Sequence, residues 1–405
     1  MTEYTRIFVA EPSYFDGRAA GLVSMHQGRL PAALAQIREW HPGFAGMTDA
    51  VIAEAPFDLD AARLVYAREH GEASWAALLE RIQEIADGRR RESFRDAFVA
   101  LENRRFAEFE GLVREHPDLM RAGGTNGNTL LNLAISLAPD ETGIIDLLLE
   151  GGADVNQGND RGWTALHQAG YANKPELAKR LLAAGADPAR EGHGEGGTPL
   201  AAALFWGHRE VSEVLAGAAI APRNLRIAAG LGRRDLIDEC FDRSGALKPA
   251  AFEGRGFYRP HSGFPVWQPS RDSQEVLNEA LVWAAKADRV EVLGALVERG
   301  ADIDADPYRG TPLMWAAANN RLAAAKWLLE HGAKISRATF GGPSHGQGVT
   351  PLHLAAQNDF AEMARLLLDH GADATIEEDN YHGTAKGWAE HFGSKRVMEL
   401  LVKQQ

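Results

Sequence analysis

Thr350-Pro351-Leu352-His353-Leu354-Ala355-Ala356 decides the fold, because weaker copies of it recur down the chain. Thr164-Ala165-Leu166-His167, Thr198-Pro199-Leu200-Ala201 and Thr311-Pro312-Leu313-Met314 are plain copies, and Thr129-Leu130-Leu131-Asn132 and Thr384-Ala385-Lys386-Gly387 are looser ones. The steps from 129 to 164, 164 to 198 and 350 to 384 are 35, 34 and 34 residues. Threonine is a good helix N-cap, and proline suits a first helical residue whose N–H has no intrahelical partner. The Ala-Ala pair lets a second helix approach closely. That second helix carries leucines (Leu147-Leu148-Leu149, Leu181-Leu182, Leu328-Leu329, Leu366-Leu367-Leu368) and ends at Gly151, Gly185, Gly332 or Gly371, where glycine tolerates a left-handed turn. Such a unit cannot bury its apolar face alone, so its copies must stack.

The Thr-Pro-Leu-His signature, the period and the Ala-Asp that follows each glycine (Ala153-Asp154, Ala186-Asp187, Ala301-Asp302, Ala372-Asp373) resemble the ankyrin-repeat family. The resemblance implies an all-α ankyrin-repeat solenoid of stacked helix pairs with short fingers. Threonine-equivalents fall at 96, 129, 164, 198, 223, 279, 311, 350 and 384, with Asp96 and Glu279 taking the threonine's place by overlay of the residues that follow them. The chain accordingly divides into an irregular segment at 1–18, an N-terminal helical extension and cap at 19–90, and a repeat array at 91–405. The stretch from Ala62 to Gly71, with Ser74-Trp75 and Leu78, is similar to a segment that precedes the repeats in bacterial ankyrin-repeat proteins. Helices are expected from Asp60 to His70 and from Ser74 to Ala86.

Composition narrows the function. The 405 residues carry a formal net charge of −13, which disfavours a sequence-independent nucleic-acid binder that must neutralise phosphates. The expected partner is therefore neutral or basic. No apolar run reaches membrane-spanning length, and Met1 to Ala10 lacks a signal-peptide layout. The lone Cys240 leaves no intrachain disulfide and fits a reducing cytoplasm. The expectation is a cytoplasmic, monomeric module with no cofactor, metal, nucleic acid or membrane among its partners.

The family resemblance implies a concave groove lined by positions seven and eight after each threonine-equivalent and by finger tips. Candidate binding residues are Trp163, Tyr171, Phe205 and Trp206, together with Tyr308 and Arg309 of a later finger; Lys286, Asn319, His391, Phe392, Asp160, Arg161, Tyr381 and His382 also fall on this surface. Trp and Tyr are favoured hot-spot residues, but they also fill repeat cores, and both roles stand open for the first four rings. Trp283, Trp315 and Trp388 sit four after the threonine-equivalent and read as core.

The regular spacing fails between 198 and 279. One finger is missing, and an insertion at about 243–276 interleaves Phe252, Arg255, Phe257, Tyr258, Arg259, His261, Phe264 and Trp267 with glycine and proline. It reads either as a lid over the groove or as a plug for the missing finger. The leading function is recognition of a protein or peptide in the groove. The alternative is a small-molecule binder or unusual enzyme with a pocket under the insertion, His261 as acid/base and Arg255 and Arg259 as anion contacts.

Three motifs read as loop chemistry. Gly342-Pro343-Ser344-His345-Gly346 lacks the strand-to-helix turn of a nucleophile elbow, and Gly192-His193-Gly194-Glu195-Gly196-Gly197 lacks the strand of a dinucleotide fingerprint. Asp302, Asp304 and Asp306 lack the Gly and Glu offsets of a calcium loop.

Overall fold

A computed structural model describes residues 4–218, 224–257, 269–307, 309–336, 338, 340 and 346–402. It divides into two units: 1–168 with 180–187, and 169–179 with 188–405. Every described regular element is helical, so the expected all-α solenoid class is what forms.

The N-terminal unit begins with α1 (Pro12–Gln27), α2 (Pro31–Trp40), α3 (Asp49–Glu54), α4 (Leu59–Glu69) and α5 (Trp75–Ala86). Asp58 and Ser74 cap α4 and α5 by accepting from Ala61 and Ala77 N–H. The expected helices at 60–70 and 74–86 are therefore present. The segment 1–18 is less irregular than expected, because α1 starts at Pro12. Its buried stripe Phe15, Ala19, Leu22 and His26 has the 4-3-4 spacing of one helix face. Phe15, Ala19 and Leu22 join Ile37, Val65, Tyr66, Leu78 and Ile82 in one core. Next come α6 (Ser93–Glu102), α7 (Phe106–Glu115), α8 (Leu130–Leu137) and α9 (Thr142–Glu150), and the boundary between units falls inside the pair α10 (Ala165–Tyr171) and α11 (Pro175–Ala183).

The C-terminal unit continues with α12 (Pro199–Phe205), α13 (Arg209–Ala218), α14 (Leu225–Gly230), α15 (Arg234–Glu239), α16 (Ser273–Lys286), α17 (Val290–Glu298), α18 (Pro312–Ala318), α19 (Leu322–Glu330), α20 (Pro351–Gln357), α21 (Ala361–Asp369), α22 (Ala385–Phe392) and α23 (Lys395–Val402). Inner helices pack on their neighbours in order: α14 on α16, α16 on α18, α18 on α20, α20 on α22. Their alanine faces make the core, as Ala284-Ala285, Ala316-Ala317 and Ala355-Ala356 are fully buried.

The threonines cap as their chemistry requires. Thr129, Thr198, Thr311, Thr350 and Thr384 each accept from the amide three residues on, at 3.2–3.4 Å. At Thr350 the cap is reciprocal, since His353 Nδ1 accepts from the Thr350 N–H at 3.1 Å while Nε2 reaches the Gly383 carbonyl at 3.0 Å. Two overlays do not hold as caps. Asp96 lies within α6, which starts after Glu92, and Glu279 lies within α16, whose cap is Asp272. Position 223 lies outside the described residues, and Asn224 caps α14 there. In the 129–151 repeat the left-handed glycine is Gly152 at φ +90°, whereas Gly151 stays right-handed.

Candidate functional site

The insertion, read either as a lid or as a plug, is in its described part built into the C-terminal unit. The chain turns at Asp242–Gly245, forms a short 3-10 turn at Pro249–Phe252 and buries Ala251 and Phe257 completely. Residues 273–276, counted with the insertion in the sequence, form the first turn of α16 instead. The Phe257 N–H donates to the Glu195 carbonyl at 2.9 Å, and its ring meets Phe205 edge-on at 5.9 Å. This contact explains the glycine run before Thr198. Gly196, at φ +73°, lies so close to the Gly254 carbonyl that a Cβ would overlap it. The run is a backbone-to-backbone contact and has no phosphate-binding geometry.

Arg255, expected to contact an anion, is 1% exposed and already neutralised. Its Nε and Nη2 donate to both carboxylate oxygens of Glu279 at 2.7 and 2.8 Å, Nη1 donates to the Ser270 carbonyl at 2.7 Å, and Glu275 takes a further bond. A bidentate pair of this kind is the strongest geometry available to a guanidinium and a carboxylate. Glu279 therefore sits where other repeats place threonine because it serves Arg255. Tyr258, Arg259, His261, Trp267 and Tyr308 lie outside the described residues, as do 342–345 of the serine motif. Arg309 is half-buried in the left-handed region at φ +57°.

The remaining sequence candidates form an aromatic nest on the inner helices. Phe205, at the end of α12, meets Trp206, Trp283 and Trp315 edge-on at 5.3–6.4 Å. Tyr171 stands edge-on to Trp206 at 5.8 Å, and its carbonyl accepts from His208 Nε2 at 3.0 Å. Phe205, Trp283 and Trp315 are buried, while Tyr171 and Trp206 keep partial exposure. Trp283 and Trp315 are thus core, as their position implied, and Trp388 is half-buried beside His353. Trp163, in the N-terminal unit, is 6% exposed with its indole N–H donated to Gln168 Oε1 at 3.0 Å, so it packs within its own repeat.

At the centre of the nest is Lys286, a groove position by spacing yet fully buried. Its Nζ lies 3.6 Å from the Trp315 ring centroid and 3.9 Å from that of Phe205, and it has no hydrogen-bond acceptor among the described residues. Burial, aided by the charge of Arg226, holds this amine well below the usual lysine range. Arg226 lies over the Trp283 ring at 4.7 Å. The Arg321 guanidinium donates to the Lys286 carbonyl at 2.9 Å, and Gly207, at φ +71°, fits directly under that carbonyl. Burial, and then the charge of Arg209, weakens the basicity of Arg289, and burial lowers that of Arg321. The surroundings of the nest are therefore basic within a chain whose net charge is −13.

A second arrangement, in the N-terminal unit, was not read from the sequence beyond its finger residues Asp160 and Arg161. A cleft of about 660 Å³ opens between α1, α2, α4 and that finger. Arg18 bridges to Asp160 at 2.6 Å and lies over the Tyr66 ring at 5.4 Å. Glu69, 4% exposed, closes the polar end and accepts from Gln36 Nε2 at 3.2 Å. Burial, reinforced by the charge of Asp160, pushes its carboxyl up to about 8. Burial likewise raises Tyr14, Tyr66 and Asp160. Beyond those finger residues, the sequence trace of the cleft is Glu69 on the inward face of α4, two residues after the buried Ala67. Among the described residues no group of three or more His, Cys, Asp or Glu side chains is placed to hold a metal ion, and no helix is long and apolar enough to cross a membrane.

Comparison with known proteins adds an independent line. A sequence model described as ankyrin repeats (3 copies) matches residues 100–192, 131–224 and 268–339. A second, ankyrin repeats (many copies), matches 313–368. Together these matches span more than half of the chain and pass over 225–267, the stretch that holds most of the insertion. The mouse protein named Protein fem-1 homolog A-like is 36% identical over 104 residues, covering 26% of this chain and 15% of that relative's length.

Proposed function

This chain belongs to the ankyrin-repeat family, and from that premise we propose that it is a recognition module holding a protein or peptide segment on the inner-helix face of its C-terminal repeats. Ankyrin repeats in general mediate protein–protein interaction. The observation that carries the finer reading is the pair Tyr171 and Trp206, partly exposed rings fixed edge-on at 5.8 Å over the buried floor of Phe205 and Trp283. Rings already held in one rotamer lose little entropy on binding, which makes them efficient anchors. The guanidinium groups of Arg289 and Arg321 beside the nest favour a segment that is acidic beside its apolar anchor, and the neutral or basic partner read from net charge is not the one favoured here. Helices α1–α5 act in this reading as the extension that caps the array, and the protein works as a cytoplasmic monomer.

Selection of peptides from a displayed library against the full chain tests the proposal. Selected peptides should protect α12, α14 and α16 from hydrogen exchange, and Trp206→Ala should weaken them by about 2 kcal/mol. Peptides that bind Trp206→Ala as well as the wild type would overturn it. The alternative pocket with His261 and Arg259 lacks a supporting contact from Arg255, whose guanidinium is spent on Glu275 and Glu279.

A further inference from the structure

The cleft of the N-terminal unit has the volume of a ligand site and an incomplete set of charges. Its volume of about 660 Å³ lies within the range that holds a small ligand or an inserted side chain. One wall is apolar, built from Met25, Ala33 and the Trp40 ring. The other end carries the Glu69 carboxyl, whose described donor is a neutral amide, Gln36. The nearby guanidinium of Arg18 makes its ion pair with Asp160. A buried carboxylate without a cation is costly, and it relieves that cost by taking a proton or a positively charged partner.

The charges facing Glu69 come from every element around it. Arg18 and Tyr14 belong to α1, exposed Glu39 to α2, Tyr66 to α4, and Asp160 and Arg161 to the finger. Three carboxylates thus stand against two guanidinium groups, with three aromatic rings between them. An anion would meet the carboxylates, and a neutral apolar ligand would leave Glu69 no better paired. A cation on an apolar arm meets aromatic faces along its length and a carboxylate at its tip.

We infer that this cleft binds an organic cation, an ammonium or guanidinium head on an apolar arm, with Glu69 as its counter-charge and Tyr14, Tyr66 and Trp40 as its walls. The head would come either from a lysine or arginine side chain of a polypeptide or from a free alkyl amine. This site is separate from the aromatic nest and does not depend on the reading given to it. Because Glu69 keeps its proton up to about pH 8, cation binding must draw that proton off, and affinity rises with pH.

Isothermal calorimetry on the full chain tests this with three probes: 1,5-diaminopentane, an acetylated pentapeptide with a central lysine, and the same peptide with norleucine. Saturable binding of the diamine or the lysine peptide is expected, tightening about tenfold or more from pH 6.5 to pH 8.5, with none for norleucine. Binding of the peptide alone assigns the cation to a polypeptide, and equal binding of the diamine assigns it to a free amine. Glu69→Gln, which keeps the shape, should weaken binding at least about tenfold. Glu39→Gln, at the exposed rim, should weaken it by a few-fold and leaves the test standing if Glu69→Gln fails to fold. No saturable binding by the wild type, a norleucine peptide that binds equally, or affinities unchanged in both variants would overturn the inference.

Discussion

Glu69 in the N-terminal unit and Lys286 in the C-terminal unit are both buried ionisable side chains on inward-facing helix positions, and their surroundings differ in kind. Glu69 borders open space and stands among charges of both signs. Lys286 borders no such cleft among the described residues; Trp315 and Phe205 close on its amine within 4 Å. The same feature, a buried ionisable group that makes no ion pair among the described residues, therefore has two meanings. Where there is room, it is the counter-charge of the proposed cation site. Where aromatic rings fill the room, it is a core residue whose burial disfavours the charged form, and its stem is worth more than its charge.

The pair Arg255–Glu279 gives the sharpest way to break this comparison, because it is a buried charge with its partner in place. Glu279→Ala removes the bidentate partner of this buried guanidinium and should destabilise the C-terminal unit by about 3 kcal/mol, read from urea unfolding. A loss under about 1 kcal/mol would mean that the pair is solvated and that burial is a poor guide throughout.

Lys286→Met should go the other way. Its folded pKa lies below that of the unfolded chain, so the unfolded state binds more protons between the two values. Stability from this residue accordingly rises with pH through that window and is complete near the ordinary lysine value. Methionine removes the penalty, and a gain of about 1–2 kcal/mol at pH 7 is expected, shrinking toward pH 10. Glu69 has the opposite slope: its raised pKa makes the folded state the better proton binder from about pH 4.5 to 8, so stability falls as pH rises through that window and is fully present below it. Glu69→Gln should flatten the slope in melting curves.

The smallest effect belongs to the regular repeats. Thr350→Ala removes one side-chain cap and should cost about 1 kcal/mol by urea unfolding, with no change in any binding assay.

The repeats were legible because each local choice agreed with the fold. Threonine, proline, the alanine pair and the terminal glycine all act within one helix pair, and five threonines cap as their chemistry dictates. What escaped the sequence was non-local. Glu279 matched the threonine position by overlay, yet nothing local tells that its partner is Arg255, 24 residues earlier, or that α16 takes its first turn from the insertion. The aromatic positions were found, but their burial depends on Phe257 arriving from the insertion and on the edge-on packing of Phe205 with Trp283. The cleft is harder still, since α1, α2, α4 and a finger some 90 residues beyond α4 contribute to it, and only Asp160 and Arg161 sat on a surface the repeat pattern marks.

The most direct measurement compares diamine and lysine-peptide affinity by calorimetry in Glu69→Gln and Lys286→Met, each with its melting temperature at pH 8. The expected result is that Lys286→Met melts higher than the wild type and binds the cation equally well, while Glu69→Gln melts no lower and binds at least about tenfold more weakly. Equal binding by both variants, or loss of binding in Lys286→Met alone, would contradict the distinction between the two buried charges.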